Sequence, residues 1–179
     1  MSSLFEQTYR HVRGKHRIGC LKIIDFERSI HLQQLRACVI ELQDYEHALD
    51  RRLPTGSDIV DEYIPQMLMR CKNCQGQIFM AEVDGNIAGY VTILTKVSSG
   101  ELEDGDIEYA LVADLLVLKE YRGSGFGRKL LDAAETYARD HAVKWLRIAA
   151  LAGNRPAIEM YSSMGFSHLF VEFEKELDE

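Results

Sequence analysis

Three glycines fall within five residues, Gly123-Ser124-Gly125-Phe126-Gly127, with Arg122 before them and Arg128 and Lys129 after. Glycines let backbone N–H groups close around an anion. A helix beginning at the end of such a loop adds its positive dipole end, and flanking cations add formal charge. The chemistry on offer is phosphate binding, and the spacing narrows it. A dinucleotide fingerprint, GxGxxG, needs glycine where Arg128 stands, and a P-loop needs Gly-Lys-Ser/Thr, which is absent. What remains is Arg122-x-x-Gly125-x-Gly127, lying between an apolar run and an amphipathic stripe.

A second constellation follows 27 residues beyond Gly127: Asn154-x-x-Ala157-x-x-x-Tyr161-x-x-x-Gly165-Phe166. Steps of three and four place Asn154, Ala157 and Tyr161 along one helix face. A phenol with a pKa of ~10 is matched to protonating a thiolate leaving group. In these two motifs, their order and their separation, the chain resembles the GCN5-related N-acetyltransferase (GNAT) family over roughly residues 18–177. The resemblance implies that the loop Arg122, Gly123, Ser124, Gly125, Phe126, Gly127 and Arg128 holds the pyrophosphate of acetyl-CoA. It implies that Asn154 binds the pantetheine or phosphate arm and that Tyr161 protonates the departing CoA thiolate. Leu115, Leu116 and Val117 match the strand whose backbone pairs with the pantetheine amides, with an N–H near Leu116 on the oxyanion. The implied activity is acetyl transfer from acetyl-CoA to a primary amine by direct attack on the thioester.

The match fails at the base. An amine of pKa ~10.4 is only about 0.04% neutral at pH 7, a cost of about 4–5 kcal/mol. Related enzymes often carry Glu or His on the strand before the loop, at positions matching Leu111 and Ala113 here, and neither residue accepts a proton. Asp114 is adjacent, but period-two alternation turns it to the opposite face. A water relay, or Asp44 or Glu46 from the first helix, stays open as the base.

The elements that must position these residues follow from periodicity. IGCLKII (18–24) is a buried strand. Leu32, Leu35, Val39, Leu42, Tyr45 and Leu49 form the stripe of a helix that ends at Pro54 and Gly56. A second helix carries Ile59, Tyr63, Met67 and Cys71 on one face, with Ser57 or Asp58 as N-cap. GQIFMAEV and NIAGYVTILTKV flank an Asp84-Gly85 turn, a strong hairpin signal. YALVADLLVL (109–118) reads as a central strand, WLRIAAL (145–151) as another and SHLFVEFEKEL as a last one. Between them lie the helix after the glycine loop and a helix capped by Asn154 with Pro156 in its first turn. The expected order is β-α-α-β-β-β-α-β-α-β. It is an α+β (mixed α/β) domain over residues 18–179, with a twisted mixed sheet of six to seven strands and four flanking helices. Residues 1–17 are expected to be a basic N-terminal extension.

Composition bounds the partners. A net charge of −7 over 179 residues disfavours nucleic acid, and no apolar run nears the ~20 residues of a membrane span. Four cysteines are too scattered for a disulfide framework, and Cys71-x-x-Cys74 lacks a second pair, so no metal is expected. A cytoplasmic protein is the default, and the resemblance makes a homodimer an expectation. Asp44, Glu46, Asp50, Asp58, Asp61, Glu62, Glu101, Glu103, Asp104, Asp106 and Glu108 fall on pieces that line the acceptor pocket in the family. An acidic rim there steers a small cationic amine substrate; a solvated acidic surface is the equal alternative. Two rivals stand: a protein lysine or N-terminal acetyltransferase, and a non-catalytic acetyl-CoA-binding module.

Overall fold

The computed structural model describes residues 20–100, 102 and 105–177. The chain divides into two compact units, one ending at Ala149 and one beginning at Ala150. In the first unit the order is β1 (Leu21–Asp25), α1 (Arg28–Leu49), α2 (Gly56–Asn73), β2 (Gln77–Val83), β3 (Asn86–Val97), β4 (Tyr109–Val117), α3 (Phe126–Asp140) and β5 (Leu146–Ile148). The strands pair in sequence order, β1-β2-β3-β4-β5, antiparallel except for the parallel β4–β5 pair.

Each element forms for a local reason. Asp84 and Gly85 both take positive φ, 50° and 81°, the backbone of a type I′ turn whose twist suits a hairpin. The start of α2 differs from expectation. Thr55, rather than Ser57 or Asp58, is its N-cap, and Asp58 closes a capping box by accepting from the Thr55 backbone N–H at 3.0 Å. A side chain at the third helical position reaches back to the cap, so Asp58 serves the same helix end from inside it.

β3 is buried on both faces, as a strand between two helical layers must be. On one face Ile78, Met80, Tyr90 and Leu116 pack with Leu35, Cys38 and Val39 of α1 and Val60, Ile64 and Met67 of α2. The alternating face meets α3, where Phe79 lies edge-on to Tyr137 at 5.7 Å. Leu130, Leu131, Ala134 and Ala138 form the buried stripe of α3. β3 and β4 approach most closely at Gly89, where a Cβ would lie 2.2 Å from the Leu116 carbonyl oxygen.

In the second unit, α4 (Arg155–Ser163) is capped by Asn154, whose Oδ1 accepts from the Ala157 N–H at 3.4 Å. Residues 167–177, expected as a final strand, form none. Leu169, Phe170, Val171 and Phe173 are largely exposed there. Among the described residues the sheet therefore has five strands, because the alternating segment has the β pattern but no paired neighbour there to supply ladder hydrogen bonds. The expected extension, residues 1–17, lies outside the described residues, as do Glu101, Glu103 and Asp104 of the acidic loop.

Gly89→Ala should lower the urea midpoint by an amount equivalent to about 1–3 kcal/mol with little change in slope, since the clash is with backbone rather than a movable side chain.

Candidate active site

β4 is paired with β3 along its length, but β5 pairs only with Ala110, Leu111 and Val112. Beyond Val112 the two parallel strands part. The edge of β4 from Ala113 to Val117 thus has no strand partner among the described residues. The expected strand 145–151 shortens to Leu146–Ile148 for the same reason.

At the parting point β4 contains one extra residue. Thr92 pairs with Asp114 and Ile93 with Val112, so Ala113 is bulged out of register. The bulge reverses the parity of everything after it. Before it, the Ala110 N–H points at β5, donating to Trp145 O at 2.8 Å. After it, the Leu118 N–H points back at β3, donating to Ala88 O at 2.9 Å. Alternation then directs the N–H groups of Asp114 and Leu116 to β3 and those of Leu115 and Val117 to the open edge. Near Leu116, where an oxyanion donor is expected, the outward N–H groups are those of its neighbours Leu115 and Val117, because the Leu116 N–H is directed into the ladder.

The same reversal corrects the placement of Asp114. Cross-strand partners share a face, so Asp114 with Thr92 and Leu111 with Leu94 all lie on the face covered by α1 and α2. Simple alternation would separate Leu111 from Asp114, and the bulge brings them to the same side. Asp114 is 5% exposed. Its Oδ1 accepts from Tyr63 Oη on α2 at 2.5 Å, and its Oδ2 has no hydrogen-bond partner. Tyr63, Gln66, Met67 and Arg70 of α2, with Thr92, Leu94 and Ala113, line a cavity of about 30 Å³ at this carboxyl.

The glycine loop follows a 3-10 turn at Lys119–Tyr121. Gly123 and Gly125 have φ of 74° and 82°, and a Cβ on either would meet nothing within 4 Å, so the loop mouth is open. Gly125 is the N-cap of α3 and contributes no side chain to the cap. The first N–H groups of α3 are thereby left for an anion, which the helix end favours by about 0.3–1 kcal/mol. Phe126 is buried and stacks on Tyr121 at 6.1 Å, anchoring the loop from beneath. Arg122 does something the motif alone does not reveal. Its Nε donates to Val117 O at 2.9 Å, Nη2 reaches Glu41 Oε1 at 3.2 Å, and the guanidinium lies 4.9 Å from the Tyr45 ring centroid. Glu41 Oε1 also accepts from the Lys119 N–H at 2.9 Å. Arg122 and Glu41 therefore clamp the end of β4 and the loop entrance to α1. Glu41 and Tyr45 carry no local signal, being some 80 residues from what they hold.

In α4 the second motif explains itself. The Phe166 N–H donates to Tyr161 O at 3.1 Å and the Gly165 N–H to Ser162 O at 3.1 Å, with Gly165 at φ 91°. This is a Schellman stop, completed by the Tyr161–Phe166 ring contact at 6.1 Å. Gly165-Phe166 thus ends the helix and orients the Tyr161 ring. The Asn154 carbonyl oxygen serves the cap, and its amide nitrogen is the part the cap does not use.

The acidic residues of the first helices are mostly engaged within the fold. Asp44 accepts from the Gly56 N–H at 2.7 Å, Asp58 caps α2 and Asp61 pairs with Arg36. Asp50 bonds to Arg52, which pulls its carboxyl down to about 2. Glu46 differs: burial, then the charge of Asp114, raises its pKa.

A model of the acetyltransferase (GNAT) family matches residues 42–166, across both units, and the chain belongs to that family. It is 29% identical over 107 residues to an N-alpha-acetyltransferase of Sulfurisphaera tokodaii, covering 56% of this chain and 62% of that one. The chain thus spans about three fifths of the length of that curated relative. A GNAT-family acetyltransferase of Staphylococcus aureus shares the fold at a TM-score of 0.63 and 20% identity, covering 81% of this chain and 83% of the other. So does an aminoglycoside 6′-N-acetyltransferase of Acinetobacter baumannii, with a TM-score of 0.63 and 19% identity over 88% of this chain and 99% of its own.

Burial raises the Asp114 carboxyl above its ordinary value, although the Tyr63 and Thr92 hydrogen bonds and Arg70 pull the other way. A raised folded pKa means the folded state holds the extra proton, so stability falls as pH climbs from about 4 toward that value. Asp114→Asn should remove this decline. Its melting temperature should exceed wild type at pH 7–8, with the difference fading below about pH 4.

Proposed function

We propose that the chain is an acetyl-CoA-dependent N-acetyltransferase acting on a primary amine, by direct attack on the thioester. The observation that carries this reading is the β4 edge from Ala113 to Val117, which has no strand partner on the β5 side among the described residues and leads straight into an open glycine loop and the N-terminus of α3. Leu115 and Val117 offer N–H groups along that edge for the amides of a pantetheine arm. The α3 N-terminus and the backbone of Gly123 to Gly127 would hold its pyrophosphate, with Arg128 adding charge. Bound acetyl-CoA supplies an activated acyl group. Leu115 or Val117 would hold the oxyanion with a backbone N–H. Such a donor is already oriented and costs no reorganisation, and removing one costs about 10²–10³ in rate. Tyr161 would give its proton to the departing thiolate, a role carried over from the α4 motif.

The acceptor class is a primary amine on a small cationic molecule. Two buried or half-buried carboxyls, Asp114 and Glu46, support a cation more than Asp44, Asp50, Asp58 and Asp61 do, since those four are engaged by partners of their own within the fold. The relative from Sulfurisphaera tokodaii favours a second reading, in which the amine is a protein N-terminus.

CoA release across polyamines, amino sugars, amino acids and N-terminal and lysine peptides tests both readings. Turnover should appear on one class and fall about 10²-fold or more in Tyr161→Phe, with acetyl-CoA affinity unchanged. No turnover on any amine, with acetyl-CoA still bound, would leave only the binding module. For a steered small cation, KM should rise as ionic strength moves from about 0.01 to 0.15 M while kcat stays constant. A peptide substrate without net positive charge should show no such rise.

A further inference from the structure

The reaction proposed above needs a proton acceptor, and the usual strand positions, Leu111 and Ala113, cannot provide one. Resting on that reading, we propose that Asp114, held by Tyr63, receives the acceptor amine's proton through water in the cavity between α2 and β4.

Three observations converge on this carboxylate. The first is the bulge, which turns Asp114 to the face that Leu111 occupies and makes Ala113 both the bulged residue and part of the cavity wall. The second is the orphaned Oδ2. A buried acceptor left unsatisfied costs about 1–3 kcal/mol, more when charged, and water entering the adjoining cavity would offset that cost. The third is size and lining. A cavity of about 30 Å³ holds one or two waters, and Tyr63, Gln66, Arg70 and Thr92 provide the polar contacts that water requires. Gln66 and Arg70 are exposed, so the chamber opens along α2, while its floor lies one residue from the Leu115 N–H.

The groups around Asp114 set its behaviour. From α2 come Tyr63, Arg70 and Cys71; from α1, Glu46; from β3, Thr92 and the buried Tyr90. Burial pushes the Cys71 thiol up to about 11 and the Tyr63 phenol higher, so both stay protonated at neutral pH. Tyr63 therefore donates to the carboxylate and cannot compete as the base. Arg70 favours the charged carboxylate, and Glu46, itself raised by Asp114, opposes a second negative charge nearby. The result is a carboxyl more basic than an ordinary aspartate, still ionisable because the Tyr63 hydroxyl bonded to Oδ1, with Thr92 and Arg70 nearby, favours its anion.

The step balances as follows. The ammonium R–NH3+ gives one proton to the bridging water as that water gives one to Oδ2, leaving R–NH2 and a neutral Asp114. The amine lone pair attacks the thioester carbon, the C–S bond breaks and the thiolate is protonated. Tyr161, which supplies the thiolate's proton in the reading above, is restored by the proton that the product amide nitrogen sheds, and the Asp114 proton returns to solvent, so one H+ is released per acetyl group transferred. Asp114 acts through water, and Tyr63 is a positioning residue.

The test is the pH dependence of kcat/KM for wild type, Asp114→Asn and Tyr63→Phe on the best amine of the panel. Acetyl-CoA affinity and melting temperature are measured beside it. Asp114→Asn should lose about 10²–10⁴-fold at pH 7, and the deficit should narrow as pH rises toward the amine's own pKa. Tyr63→Phe removes a hydrogen bond that favours the anion, so its acid limb should move to higher pH. Wild-type turnover with Asp114→Asn within about three-fold, or a loss equal at every pH, overturns the inference and leaves the acetyltransferase standing. A fall in melting temperature or acetyl-CoA affinity that accounts for the lost rate overturns it as well. Absence of turnover by wild type overturns the acetyltransferase reading, and this inference with it.

Discussion

Backbone hydrogen bonding in β4 is the constraint from which the rest of the site follows. A strand between two others has both its edges paired, and such a strand has nothing to offer a ligand. β4 begins that way, with β3 on one side and β5 on the other, until Ala113 adds one residue to the ladder. From there β5 leaves and the peptide groups of Leu115 and Val117 turn outward. The same insertion sets which way each side chain points, so one bulge selects which amides face the open edge and aims Asp114. The choice of amides and the facing of Asp114 are linked, because a parity change in a strand moves amides and side chains together.

Such an edge is useful only if it is rigid, and β4 ends in a loop of glycines, the least rigid of residues. The clamp of Glu41, Arg122 and Tyr45 answers that difficulty. One carboxylate oxygen takes the Lys119 N–H and the Arg122 guanidinium, and Arg122 in turn holds the Val117 carbonyl. The exit of β4 is thereby fastened to α1, itself packed on the sheet through Leu35, Cys38 and Val39. Phe126, buried under the loop, fixes the start of α3 from the other direction. In the family the motif arginine is read as a phosphate ligand; here it also supports the backbone that would do the binding.

Asp114 shows what such a site costs its fold. A carboxyl among Tyr90, Met67 and Leu116 has lost its hydration, and Tyr63 and Thr92 return only part of it. An asparagine or leucine would be easier to bury. Stability is given up at that position, and the core on the opposite face, where α3 packs an all-apolar stripe, has to compensate. The hydroxyl of Tyr90, buried on the same face, likewise lacks a hydrogen-bond partner among the described residues, so the polar cost of this face is shared by neighbouring groups of an otherwise well-packed sheet.

Short-range patterns in the chain were enough to determine most elements and both motifs. The Asp84-Gly85 turn, the capping of α4 by Asn154 and the Gly165-Phe166 helix stop are each set by hydrogen bonds within a few residues, so the local sequence encodes them fully. Periodicity located the buried stripes of α1 and α3 because burial repeats at the spacing of the element. Tertiary structure decided what depends on a partner strand or a distant helix. YALVADLLVL reads as uniform alternation, and nothing within it marks Ala113 as extra; the bulge exists only in the register against β3. Alternation alone therefore turns Asp114 to the wrong face and does not say which N–H groups near Leu116 face outward, and nothing local marks Glu41 or Tyr63 as partners of β4 and its exit. SHLFVEFEKEL carries a strand's pattern and forms none, since alternation is a property of one segment and a ladder is a property of two.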